Sequence, residues 1–230
     1  MADKKIEKAL YGPSATEVAL GAILGFLLGV VTACVYLVLF KPVTTVREPV
    51  KEPVAGVVYY QPGTNDSSRN RQWTAKHRRF LAGGSIEVNE DEINSWVASE
   101  LKKPAAPAGG KAGGAPAPSG SFLTAQPPNF RIVDGTMQVG FLCRIDYFGV
   151  GRDVQVVARG KGFTKDDNRF EFEADEFYLG SCPLHKLFGL GLPLMSKLSS
   201  LHTPSDEMKA AWAKLTEVQL EGRTLKLTVP

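Results

Sequence analysis

The chain has 230 residues, 43% hydrophobic and 22% charged, and its 27 Lys+Arg against 24 Asp+Glu leave a formal net charge of +3. So small a surplus falls far short of the basic footprint of a nucleic-acid binder, and nucleic acid is excluded as an expected partner. Three cysteines with no C-x-x-C pair are too few for a disulfide-framed fold or a zinc site, so neither metal nor cofactor is expected.

Val18 to Phe40 runs for 23 residues without a charge, 19 of them apolar. As a helix it measures about 34 Å, slightly more than a hydrocarbon core, and is read as one transmembrane helix over 18–40 after a short tail, 1–17. The run has no small-residue cleavage site and passes directly into Lys41-Pro42, which favours a retained anchor over a cleaved leader. Basic residues hardly separate its flanks, with Lys4, Lys5 and Lys8 before it and Lys41, Arg47 and Lys51 after it. The short tail is the easier part to leave in the cytoplasm, so the expected topology is single-pass with an extracytoplasmic C-terminal domain, a layout similar to that of small bacterial inner-membrane envelope proteins. In an oxidising compartment a bridge between Cys143 and Cys182 is chemically allowed, although their spacing does not show that they meet. Gly21, Gly25, Gly29 and Ala33 put small side chains on one stripe of the anchor, which suits a second copy or another single-pass protein; an uninvolved lipid-facing stripe is the plainer alternative.

Residues 41–56, KPVTTVREPVKEPVAG, carry Pro42, Pro49 and Pro53. They predict an extended polyproline-like stalk reaching about 50 Å, or else an edge strand held on the domain by Val43, Val46, Val50 and Val54. Residues 57–230 follow as the domain, opening with a short strand over Val57–Tyr60. Arg69 to Ala82 is predicted helical, with Trp73, His77, Phe80 and Leu81 on one face. Arg71, Lys76, Arg78 and Arg79 cover the other, as a solvated face or a contact with an anionic surface. Val88-Asn89-Glu90-Asp91-Glu92-Ile93 carries a capping box between Asn89 and Glu92 and a hydrophobic staple between Val88 and Ile93. The helix it starts buries Ile93, Trp96, Val97 and Leu101, leaves Asp91, Glu92 and Ser99 to solvent, and offers Asn94 as a buried latch or an exposed side chain. Capping accounts for the acidic triplet without catalysis.

Residues 104–121 are almost entirely Ala, Gly, Pro and Ser and predict a disordered loop within the domain, with a separate helical module before it as the alternative. Strand signals then dominate. Met137 to Tyr147 alternates with one apolar and one mixed face, Val154, Val156 and Ala158 mark a second strand, and Phe170, Phe172 and Ala174 a third. Glu221-Gly222-Arg223 turns a final hairpin. In between, Leu184, Leu187, Phe188, Leu192, Leu194, Met195 and Leu198 exceed what one amphipathic stripe needs; they complete the core or form a surface for an apolar ligand or partner. Thr203-Pro204-Ser205 opens a last helix burying Met208, Ala211, Trp212 and Leu215.

No phosphate loop, metalloprotease, nucleophile-elbow or dinucleotide pattern is present, and Cys182 with His185 is a weak thiol–imidazole pair. The expected fold class is α+β: a transmembrane helix, then a twisted antiparallel sheet packed with helices near 70–82, 90–102, 183–201 and 205–214. The expected function is that of a non-enzymatic envelope scaffold or accessory subunit whose first partner is the lipid bilayer. A lipid or apolar-ligand binding protein is the alternative, and an enzyme of unrecognised type a third reading.

Overall fold

In the computed structural model, which describes residues 12–102, 123–147, 150–166, 169–187 and 206–230, the apolar run forms one helix, α1 (Ala15–Leu39). Its start is fixed by a reciprocal cap: Glu17 N donates to Ser14 Oγ at 3.3 Å and Ser14 N to Glu17 Oε2 at 3.2 Å. The carboxylate thus sits at the positive end of the helix dipole, where it stabilises the first turn. Helix α1 is long and apolar enough to cross a membrane.

The Pro-rich residues after it do not continue as a rod. They double back, so that β1 (Thr44–Thr45) runs parallel to β2 (Tyr59–Tyr60), with Thr44 N donating to Val58 O and Val46 N to Tyr60 O, each at 2.9 Å. Val54 N donates to the Tyr59 hydroxyl at 3.2 Å and Gln61 Nε2 to Arg47 O at 2.6 Å. The extended stalk is thereby corrected in favour of its alternative, a strap held on the domain. Of its valines, Val43 and Val46 are half-buried, whereas Val50 and Val54 stay exposed.

The strap lies over the main sheet, built on the hairpin of β6 (Thr136–Tyr147) and β7 (Val150–Gly160). Their antiparallel register runs from Met137 opposite Gly160 to Tyr147 opposite Val150. β4 (Leu123–Ala125) and β5 (Asn129–Val133) pair with opposite ends of β6, while β10 (Glu176–Leu179) and β11 (Cys182–Pro183) extend the sheet beyond β7. The mixed face of β6 explains the strap. A side chain at Gly140 would collide with the Tyr60 ring, so the glycine is what lets the aromatic lie flat against the strand.

The expected single sheet is in fact several. β12 (Glu217–Glu221), β13 (Thr224–Thr228) and β3 (Ile86–Asn89) form a separate antiparallel sheet. β8 (Gly162–Asp166) and β9 (Arg169–Glu173) form a hairpin of their own, so the strand carrying Phe170 and Phe172 does not join β7; β10 takes that place, with Phe177 opposite Ala158. Helices α2 (Asn70–Leu81), α3 (Glu90–Lys102) and α4 (Asp206–Ala213) match three of the expected helices. At the fourth, the described residues are β11 and a 3-10 turn, Leu184–Lys186, and residues 188–205 lie outside the description. The Ala/Gly/Pro segment 104–121 also lies outside it.

Two apolar clusters result. The first joins α2, α3 and α4 to the small sheet and the near side of β5 and β6, around Phe80, Val88, Ile132 and Leu215. The second comprises Cys143, Val156, Ala158, Phe177, Cys182 and Leu184, and here Cys34, Leu37 and Val38 of α1 pack against the domain.

Candidate functional site

Side-chain hydrogen bonds concentrate at the start of α3, on Asn89, Glu90, Glu92 and Asn94. The capping box forms as its spacing predicts, with Glu92 N donating to Asn89 Oδ1 and Asn89 N to Glu92 Oε2, both at 3.0 Å. Glu92 is not on a solvent face, however; it is 1% exposed, and Lys76 Nζ of α2 lies 2.8 Å from each of its oxygens. A carboxylate that caps a helix must stay near its N-terminus, and here that position is enclosed by α2, so a lysine supplies the counter-charge.

Glu90 and Asn94, one helical turn apart, share a task. Asn94 Oδ1 accepts from Phe130 N at 2.7 Å, and its Nδ2 donates to Phe130 O at 2.7 Å and Thr64 O at 2.8 Å. Glu90 Oε2 accepts from Ile132 N at 3.0 Å, and Oε1 from the Thr64 amide and hydroxyl at 3.2 and 2.8 Å. Phe130 and Ile132 present their backbone groups on the side of β5 away from β6. Two side chains of a helix therefore satisfy a strand edge that would otherwise need another strand. Both oxygens of Glu90 are occupied by structural donors, so this acidic group builds the fold.

The predicted basic residues do not form one patch. Arg71, Arg78 and Arg79 are exposed on α2, while half-buried Lys76 is committed to Glu92. Lys76 and Arg79 line a groove of about 580 Å³ with Ser85, Glu87, Asn89 and Lys226. A second groove, about 230 Å³, opens between strap and sheet, lined by Val46, Pro49, Val50, Pro53, Tyr59, Arg131 and Arg159. Arg159 is fixed there by Gln138 Oε1 at 3.0 Å, Glu176 Oε2 at 3.1 Å and the Tyr59 carbonyl. Beside it, Tyr60 donates to Asn129 Oδ1 at 3.2 Å, and burial pushes its hydroxyl up to about 12. Neither groove is lined by leucine.

Of the proposed apolar surface, Leu184 is buried in the second cluster and Leu187 packs on it. Phe188, Leu192, Leu194, Met195 and Leu198 lie outside the described residues. Cys182 and His185 are engaged with different partners. The His185 Nδ1 lies 3.2 Å from both the amide and the carbonyl of Phe177, and its ring meets the edge of Tyr178. Burial, and then a hydrogen bond with the Cys34 thiol, push the Cys182 thiol up to about 12, the opposite of nucleophile activation. Burial also raises Cys143, and all three thiols are free. Among the described residues no group of three or more His, Cys, Asp or Glu is placed to hold a metal.

The second cluster is also where α1 meets the domain. Ser181 N donates to Leu37 O at 3.3 Å, its hydroxyl to Pro42 O at 3.4 Å, and Arg152 Nη1 to Leu39 O at 3.0 Å. The Arg152 guanidinium also stands 5.5 Å over the Phe40 ring. The contacts at Leu37 and Leu39 satisfy carbonyls of the last turn of α1, which a helix C-terminus leaves open, and the Ser181 hydroxyl holds Pro42 three residues beyond. Gly21, Gly25 and Gly29 face open space, and Ala33 is exposed. Sequence reasoning missed this junction because Cys34, Leu37 and Val38 are ordinary membrane-helix residues, and their partners lie more than a hundred positions on. The chain matches no protein-family model and no curated protein sequence.

Proposed function

We propose that the protein is a non-enzymatic scaffold or accessory subunit of a cell envelope, anchored by α1, with its α+β domain on the extracytoplasmic side of a membrane of bacterial inner-membrane type. One observation supports this reading above the others: a 25-residue helix, whose most apolar 18-residue stretch has a mean hydropathy of 2.6, ends seated on the folded domain that it carries. The seating gives the domain a defined orientation on its anchor, as a part that positions others requires. Partners in this reading are the bilayer itself and a second copy or another single-pass protein at Gly21, Gly25, Gly29 and Ala33.

Alkaline carbonate washing should leave the full-length chain in the membrane fraction, and its release would sink the anchor. Protease added to cells with the outer barrier opened should digest the domain; protection equal to that of a cytoplasmic control would reverse the orientation.

A further inference from the structure

Helix α1 touches the domain before its apolar run ends. Cys34 packs against the cluster that contains Cys182, and Ser181 N reaches Leu37 O. A hydrocarbon core of about 30 Å takes about 20 residues of helix. Counted from Val18, the first residue after Glu17, that length ends at Leu37. Cys34 then lies about 4.5 Å inside the core, together with the part of the domain that covers it. Setting Cys34 outside instead leaves Val18 to Ala33, sixteen residues or about 24 Å, and the shortfall of about 6 Å draws the Glu17 carboxylate into hydrocarbon or thins the bilayer, both unfavourable.

The part of the domain at this depth buries Gly180, Ser181, Cys182 and Leu184 and leaves half-buried Leu179 and Pro183 to meet lipid. It is the turn between β10 and β11, whose backbone donors are spent internally: Gly180 N on Gln155 O at 2.8 Å and Ser181 N on Leu37 O, with the Ser181 hydroxyl on Pro42 O. Backbone in a hydrocarbon environment needs that satisfaction. Gly180 keeps the turn close, since a side chain there would press on the Val38 backbone at 3.0 Å. Arg152, exposed and bonded to Leu39 O two residues beyond the counted span, stands at headgroup height, where a guanidinium meets phosphate.

Resting on the reading of α1 as a membrane span, we infer that the β10–β11 turn, from Leu179 to Leu184, reaches the glycerol-level edge of the hydrocarbon core that α1 crosses, so that the domain lies on the lipid surface as a second contact. The test uses the full-length chain in vesicles of phosphatidylcholine and phosphatidylglycerol doped with a phospholipid bearing a diazirine near the glycerol end of its acyl chain. After irradiation, digestion and mass spectrometry should find lipid adducts on α1 and on residues 177–187, at least several-fold above those on the β12–β13 hairpin. Adducts on α1 with none on 177–187, or adducts on 177–187 no more frequent than on β12–β13, overturn the inference while leaving the anchor standing. Absence of adducts from α1 itself overturns the anchor.

Discussion

Asn94 stands in for a β-strand neighbour, giving and taking one backbone hydrogen bond at Phe130 while holding Thr64 with its second N–H. Asn94→Ala leaves buried backbone groups without partners, so it should cost about 3 kcal/mol in urea denaturation, more than the roughly 1 kcal/mol expected for Asn89→Ala at the cap. The cap was legible in the sequence because Asn89 and Glu92 are three residues apart. The latch was legible only as one of two options, because its partners lie 30 and 36 residues away. Glu92 was assigned to solvent for the same reason, since its surroundings are set by α2 and not by its own helix. Tyr60 carries a pH dependence. Its hydroxyl is held at about 12 against an ordinary value of 10, so the protonated form is favoured by folding. Stability from this source is intact below pH 10 and is lost as pH rises towards 12. Tyr60→Phe should remove its share of that alkaline loss, measured as melting temperature from pH 9 to 12; a wild-type and variant difference that stays constant across the range would contradict it.

At the scale of elements, long alternation was the reliable signal: β6, β7 and the β12–β13 hairpin fall where their periodicity puts them. β3 was not read, because Ile86–Asn89 is only four residues long and ends inside the capping motif that dominates its sequence. The strap was misjudged as a rod because proline spacing describes local stiffness but not what lies beside it, and the face that receives it belongs to β6. Gly140→Ala should force Tyr60 off the strand, at a cost of about 1 to 3 kcal/mol, and loosen the strap. Limited trypsin digestion should then cut after Arg47 and Lys51 faster than in the wild type, and unchanged cutting would mean that the strap is held elsewhere. Trp96 lies half-buried against Trp73, with ring centroids 5.3 Å apart, and is not sealed in the core. Trp96→Ala should therefore cost about 2 kcal/mol, below the 3 to 5 kcal/mol of a fully buried aromatic; a midpoint equal to wild type would make its face a binding surface.

For the whole molecule, the seating of α1 makes helix and domain one unit, and Cys182 reports on it. The thiol is 1% exposed and is pushed up to about 12, so almost no thiolate is present at neutral pH. A maleimide should leave Cys182 unlabelled for hours in the native full-length chain and label it fully in denaturant, as read by peptide mass; prompt native labelling would show that α1 leaves its seat. The seat also fixes the compass bearing of the domain about the helix axis. At 3.6 residues per turn, the face formed by Cys34, Leu37 and Val38 points about 150° away from the stripe of Gly21, Gly25, Gly29 and Ala33. Two chains joined along that stripe would carry their domains on opposite flanks of the pair, back to back across the axis.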